Sequence, residues 1–405
     1  MKFNGLFYRL IVFFSCLAMT YSWSADTIKQ LNTYLQKQGL DQKLAEQSFA
    51  SDSLNKADAI KAQDLIWEAY KKQIRKARAD EMKAKRLVMG DLSMRFEYKI
   101  FGEKPEGGRS LYISMHGGGG GPARMNDQQW MNQIRLYQPK EGVYLAPRAP
   151  GNTWDLWHKP FIDKFFLNLI EMMHVFEDVD LNKVYLMGYS AGGDGCYKLA
   201  PRMAYRFAAA AMMAGHPNGV SVLSLRNLPF IIQMGEKDGA YKRNEVAVEY
   251  GRKLDALQKT DPKGYIHKTV IHKGMGHWMN RKDALALPWM AQYKRNPFPK
   301  RIVWHQDGVT HNTFYCLAVS DEHKSKGTDV IVQFEGQTVS IEKMTVKQLT
   351  IHLNDSMLDL DKEITLSKNG KKQPLKLKRQ IKTIVSSLYL YRDRNYLFPV
   401  RVTLK

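Results

Sequence analysis

The chain has 405 residues, 44% apolar, 25% charged and 11% aromatic, too long for one average domain and within the globular range of composition. Its 61 Lys and Arg against 40 Asp and Glu give a net charge of +21, yet the aromatic content excludes a disordered basic tail. The charge favours acidic partners such as an anionic polymer. Nucleic acid is not expected, because the basic runs at 71–86 and 371–379 lack interleaved aromatics to stack bases and read as solvated faces.

Residues 1–24 read as a secretory signal peptide. Lys2 and Arg9 form its basic segment, 10–19 an apolar run too short to span a bilayer, and Ser22, Ser24 and Ala25 a cleavage site, placed after Ser24. Cleavage there implies a secreted or periplasmic protein without a transmembrane anchor. Cys196 and Cys316 would remain, either bridged, as an oxidising compartment allows, or as separate buried thiols, and no His or Cys spacing suggests a metal.

The segment 25–90 predicts a helical N-terminal region, with Leu31, Tyr34 and Leu35, then Ile60, Leu65, Ile66 and Ala69, at helical spacing. Over 91–295, short apolar runs at 111–115, 143–146, 184–187, 208–213, 230–234 and 265–271 alternate with amphipathic stretches at 161–176, 194–205 and 244–257. That alternation predicts an α/β domain around a mostly parallel sheet. Pro297 and Pro299 mark a boundary, and 296–405 predicts a small β-rich C-terminal domain. Its strands are expected at 314–319, 330–334, 339–341, 349–353, 364–366 and 400–404, with a tight turn at Asn369-Gly370 and a helix over 381–391.

The strand at 184–187 leads directly into Gly188-Tyr189-Ser190-Ala191-Gly192-Gly193, and a helical pattern follows. A bare G-x-S-x-G is expected by chance roughly 0.1 times in a chain of this size. Between a strand and a helix it is the sharp turn that presents a nucleophilic serine, where large flanking side chains would collide. Upstream, His116 and the glycines 117–121 follow the strand at 111–115, and their N–H groups can approach an oxyanion closely. The expected hole combines the Ala191 N–H with one from Gly117, Gly118 or Gly119.

A base and an orienting acid should follow in the order serine, acid, histidine. Asp238, in the loop after the 230–234 strand, is the expected acid, with Glu236 as competitor. His277, in the glycine-bracketed turn after the 265–271 strand, is the expected base, while His267 and His272 lie nearer the strand body and read as structural or exposed. Trp154 and Trp157, past the 143–146 strand, either line an acyl or sugar pocket or pack the domain. His116 and His216 are further pocket candidates, His216 equally a surface-loop residue. Asp194, in the first turn of the serine helix, is accounted for by the helix dipole.

These motifs resemble the α/β-hydrolase superfamily, and their wording is similar to secreted esterases of the polyhydroxybutyrate depolymerase and feruloyl esterase group, over about residues 92–290. The resemblance implies an α/β-hydrolase sheet and a secreted serine hydrolase that cleaves carboxylic esters through an acyl-enzyme, with no metal or organic cofactor. Polysaccharide- or polymer-linked esters are among the substrates it admits, and it leaves the N-terminal helices and the β-rich C-terminal part unexplained. Two other readings stay open. One is a serine peptidase of the prolyl-oligopeptidase type, which shares the residue order but usually carries a propeller that is not visible here. The other is a polymer-binding protein with an inert hydrolase domain, against which the complete set of catalytic elements argues.

Overall fold

The structure is a computed structural model that describes residues 26–405, so the expected signal peptide lies outside the described residues. In chain order the helices are α1 (26–38), α2 (Lys56–Ala77), α3 (Ala79–Ala84), α4 (Ala123–Leu136), α5 (Pro160–Glu177), α6 (Ala191–Arg202), α7 (Arg243–Thr260), α8 (Ala286–Met290) and α9 (Ile381–Tyr391). Among the described residues no helix is long and apolar enough to cross a membrane. The chain divides into two compact units. The larger comprises Arg75–Glu335 and Ser340–Gln348, and the smaller comprises 26–74, Gly336–Val339 and Leu349–Lys405.

The larger unit is built on eight strands: β1 (Arg86–Met89), β2 (Leu92–Phe101), β3 (Arg109–Met115), β4 (Gly142–Pro147), β5 (Val179–Tyr189), β6 (Ala209–Met213), β7 (Phe230–Gly235) and β8 (His267–His272). They lie in the order β1-β2-β4-β3-β5-β6-β7-β8. β1 and β2 pair antiparallel, as do β2 and β4, and every later pairing is parallel. Strands covered on both faces read as unbroken apolar runs; β4, β6 and β7 are buried at every position. Helices of this length between parallel strands are what a parallel sheet needs to return the chain. The core is rich in tyrosine, with Tyr112, Tyr144, Tyr185 and Tyr189 buried together and Tyr112 stacked on Tyr185 at 4.8 Å.

Each expected run coincides with a strand, but none was expected at β2, whose largely half-exposed residues form no apolar run, and there are two further local differences. The helical N-terminal region ends at Ala84, and Arg86–Met89 is a strand, because Gly90, at φ +57°, turns the chain back into β2 while Leu87 buries. Tyr265 adopts φ 54°, so β8 begins at His267.

Five further strands precede Gln348: β9 (Arg301–His305), β10 (Thr313–Phe314), β11 (Leu317–Ala318), β12 (Asp329–Glu335) and β13 (Thr338–Met344). The expected strand at 314–319 is in fact the β10–β11 pair, broken at Tyr315, whose φ is 53°. β9 pairs antiparallel with β12, and both belong to the larger unit. Pro297 and Pro299 therefore do not divide the two units. The packing explains why: Asn227 donates to the Arg301 carbonyl at 2.9 Å, Ser224 Oγ accepts the His305 N–H at 2.9 Å, and Tyr205 meets Phe314 edge-on.

The smaller unit joins the N-terminal helices to the chain's last segment, two parts that the sequence suggested were separate. Its strands are β14 (Leu349–Leu353), β15 (Ile364–Lys368), β16 (Lys371–Leu375) and β17 (Val400–Leu404), with β14 and β17 antiparallel. Leu54 forms an antiparallel bridge to Arg379, and Gln63 and Gln380 donate to the Leu397 and Ser51 carbonyls at 2.5 Å. Asn369 and Gly370, at φ 51° and 75°, make the tight turn between β15 and β16. The basic run 371–379 is partly a solvated face. β16 is exposed at four of five positions, but Arg379 is buried, bidentate on Asp355 and bonded to Asp361.

Candidate active site

The C-terminal ends of β3, β5, β7 and β8 bring the expected residues together. Ser190 follows β5 and heads α6 with φ 57° and ψ −120°, a backbone region that costs on the order of 1–3 kcal/mol for a residue with a side chain. The two glycines of the motif make the turn sterically feasible. A Cβ on Gly188 would lie 2.1 Å from the Gly192 carbonyl oxygen, and one on Gly192 would lie 2.2 Å from that of Met115. The Ser190 N–H is itself bonded to the Met213 carbonyl at 2.9 Å, which ties the turn to the end of β6.

His277 Nε2 lies 2.9 Å from Ser190 Oγ, and His277 Nδ1 lies 2.7 Å from Asp238 Oδ2. Since a carboxylate only accepts, Nδ1 carries the proton and Nε2 is left as acceptor for the serine hydroxyl. Asp238 is 2% exposed, whereas the His277 side chain is 44% exposed and reachable from solvent. The Asp238 main chain is fixed on both sides, its N–H to the Gly235 carbonyl and its carbonyl to the Asn244 N–H, each at 3.1 Å. Glu236 is placed elsewhere. It is exposed, and Oε2 accepts the Gly274 N–H at 2.8 Å, bracing the loop that carries His277.

Ala191 is the first residue of α6, so its N–H has no acceptor within the helix and sits at the positive end of the dipole. Gly117 passes directly against the serine, a Cβ there falling 3.1 Å from Ser190 Cβ. Gly119 is not free to serve, because its N–H donates to Asn126 Oδ1 at 2.6 Å. Gly117 and Gly118 remain as sources of a second donor.

Two of the expected pocket residues are buried supports. His116 and Trp157 are fully buried, so neither offers a surface to a substrate. His116 Nδ1–H donates to the Gly117 carbonyl at 2.6 Å, Nε2 accepts the Ala149 N–H at 3.1 Å, and the His116 carbonyl accepts the Trp157 indole N–H at 2.9 Å. Burial lowers the His116 pKa to about 4, so the ring is neutral and can hold this donor–acceptor pattern. Trp154 is 63% exposed beside the glycine loop, edge-on to His158. His216 is half-buried: its N–H donates to Asp194 Oδ1 at 2.7 Å and its ring meets Asn218. Asp194 thus holds the His216 turn, in addition to any dipole effect. Cys196 and Cys316 are both free and buried.

Sequence reading missed the network that pins the glycine loop. Asn126, on α4, takes the Gly119 N–H and donates to Asn152 at 3.1 Å; Arg148 in turn reaches Asn152 at 2.5 Å and Asp127 at 2.9 Å. Nothing in the polar sequence of α4 distinguishes Asn126 from its neighbours.

No protein-family model matches the chain, and no curated protein matches it. Among solved structures it is similar to a thermostable esterase at 16% identity, over 52% of this chain and 62% of that one, with a TM-score of 0.42. The chain thus spans less than two thirds of that esterase. It is also similar to a poly(3-hydroxybutyrate) depolymerase from Bordetella parapertussis, at 16% identity over 54% of this chain and 94% of that one, TM-score 0.41. A ferulic acid esterase is similar at 15% identity over 51% and 96%, TM-score 0.38. With the strand order β1-β2-β4-β3-β5-β6-β7-β8 and a strained serine between β5 and α6, the larger unit has the α/β-hydrolase fold.

Proposed function

We propose that this protein is a serine hydrolase that cleaves carboxylic esters through an acyl-enzyme. The observation that carries the reading is the continuous hydrogen-bond line from Ser190 Oγ through His277 to the buried Asp238, at 2.9 and 2.7 Å. Ser190 Oγ attacks the ester carbonyl while His277 Nε2 takes its proton, and the developing oxyanion lies at the Ala191 N–H with Gly117 or Gly118. The imidazolium, steadied by Asp238, then returns the proton to the leaving alcohol. A water deprotonated by His277 attacks the acyl group, and Ser190 leaves with the proton restored.

The substrate proposed is an ester carried on a polymer, such as a polysaccharide, met outside the cytoplasm after removal of residues 1–24. Exposed aromatics near the site elements support it. The three exposed aromatics among the described residues are Trp154, which lies against Gly119 and Gly120 of the glycine loop, Tyr241, three residues past Asp238, and Trp278, next to His277. Exposed flat rings on segments that flank the site suit extended chains better than a small enclosed ligand.

The test is labelling by a fluorophosphonate together with turnover of p-nitrophenyl esters, acetylated and feruloylated sugars, polyhydroxybutyrate and peptide amides. Labelling at Ser190 and ester turnover are expected, both abolished in Ser190→Ala, with kcat lower by about 10⁶. Turnover of peptide amides in preference to esters would replace the esterase reading with the peptidase one. Binding of polymer with neither labelling nor turnover would leave an inert hydrolase domain.

A further inference from the structure

The side chain immediately before the nucleophile reaches the loop that carries the base. Tyr185, Met187 and Tyr189 occupy one face of β5, two residues apart, and bury in the same cluster. The Tyr189 hydroxyl donates to the His277 carbonyl at 2.6 Å and accepts the Met279 N–H at 3.0 Å. Its ring meets the His277 imidazole edge-on, centroids 6.0 Å apart, and lies 5.6 Å from the Trp278 ring. One side chain therefore touches three consecutive residues of the loop.

That loop has no regular structure of its own. Residues 273–281 form neither helix nor strand, and Asn280 and Arg281 take positive φ of 50° and 63°. Its start is tied at Met275, whose N–H goes to the His272 carbonyl and whose carbonyl accepts the Lys237 N–H at 2.8 Å. Past that point the His277 main chain is tied by the Tyr189 hydroxyl.

We infer that Tyr189 is a positioning residue, whose hydroxyl fixes the His277 main chain relative to Ser190, its own neighbour in the chain. Nucleophile and base are then referred to one rigid point at the end of β5. The histidine must reach Ser190 Oγ from a loop, and an error of about 1 Å in such a placement costs on the order of a hundredfold in rate. The inference rests on the serine-hydrolase reading.

Tyr189→Phe keeps the ring and removes both hydrogen bonds. The expected result is a tenfold to hundredfold fall in kcat with KM nearly unchanged. The rate of Ser190 labelling by fluorophosphonate should fall by the same factor, and the acid limb of the kcat/KM pH profile should move. Tyr185→Phe is the control for lost stability. It removes another β5 hydroxyl from the same cluster, bonded to the Tyr293 carbonyl at 2.9 Å, and should leave the labelling rate at the wild-type value. A folded Tyr189→Phe that labels at the wild-type rate with an unmoved acid limb overturns the inference. Wild-type protein that does not label at Ser190 instead overturns the serine-hydrolase reading itself. Should Tyr189→Phe not fold, amide exchange in the wild-type protein decides: the Met279 N–H should be protected like the core strands, and exchange at open-loop rates overturns the inference.

Discussion

Asp238 and Glu236 stand two residues apart on the turn after β7 and serve different partners. Asp238 points inward to His277 Nδ1 at 2.7 Å, while Glu236 stays exposed and accepts the Gly274 N–H at 2.8 Å. Both therefore act on the histidine loop, one on its ring and the other on its backbone.

This separation predicts unequal losses. Asp238→Asn should lower kcat by roughly 10⁴, because an amide can present its N–H to Nδ1 and favour the wrong tautomer. Glu236→Gln keeps an acceptor for Gly274 and should cost less than about tenfold, a neutral hydrogen bond being only about half as strong as a charged one. Steady-state kinetics of the two variants on one soluble ester compares them; a crippled Glu236→Gln beside a healthy Asp238→Asn would reverse the assignment.

Asn126 makes a second prediction. Gly118, Gly119 and Gly120 all have positive φ, at 97°, 87° and 64°, so the loop has little intrinsic preference for this shape. Asn126→Ala removes the acceptor that holds the Gly119 N–H and should lower kcat about tenfold to a hundredfold through a loosened oxyanion hole. KM should change little, since the donors matter most once charge has developed. An unchanged kcat would show that Gly117 and Gly118 hold their geometry without the network.

A third concerns acid. His116 is buried neutral, its pKa lowered from the ordinary 6.5 to about 4 by loss of water. Below pH 6.5 the unfolded chain takes up this proton and the folded protein does not, so stability falls as pH drops from 6.5 to about 4 and levels off below. His158, lowered to about 4 chiefly by burial and then by the Lys198 charge, acts in the same direction. Together they contribute on the order of a few kcal/mol, a tenfold difference in proton affinity between the folded and unfolded chain being worth about 1.4 kcal/mol. Denaturant melts across that window should show the decline, and His116→Gln, which cannot titrate, should make it shallower. An equally steep decline in the variant would place the effect elsewhere.

The residues that the structure brings together at Ser190 were legible because each sits past a strand end beside glycines. Gly188 could be read this way, since its role depends on Gly192, four residues on; the close approach of Gly192 to Met115 could not. Burial depth could not. His116 and Trp157 look like site residues by position, yet they face inward, and only tertiary packing decides that. Asn126 was invisible for a related reason, its partner Gly119 being chosen by how α4 docks. The edge strand β16 was read as a solvated basic run because a strand without a buried face has no apolar alternation, and its Lys and Pro are what an exposed edge tolerates. The pairing of 26–74 with the last segment rests on contacts such as Leu54 with Arg379, 325 residues apart by their numbers, which no local pattern encodes.

Were the prolines at 297 and 299 a boundary between independent domains, a chain ending near Arg295 would keep activity on small esters; the packing of the larger unit predicts otherwise. Arg295 itself is bonded within that unit, to the Tyr205 carbonyl at 2.9 Å and to Asn182 Oδ1 at 2.9 and 2.8 Å. Beyond it, Trp304 stacks on Phe314, and Phe314 covers Tyr205, whose hydroxyl meets Thr313 Oγ1 at 3.1 Å. Losing one buried large aromatic costs about 3–5 kcal/mol, and a whole domain holds only about 5–15 kcal/mol. Removing Trp304 and Phe314 together, with the hydrogen bonds from Ser224 and Asn227, is therefore expected to exceed what the remainder can lose. The truncated chain should give no cooperative melt by circular dichroism and no fluorophosphonate labelling. The point variant Trp304→Ala should stay folded and label at Ser190, but melt at a lower temperature, because the damage reaches the site only through stability. A truncation at 295 that folds and labels normally would make everything after Arg295 dispensable for the serine chemistry, and strands β9 to β12 would then have to be counted as an addition to the catalytic unit, not a part of it.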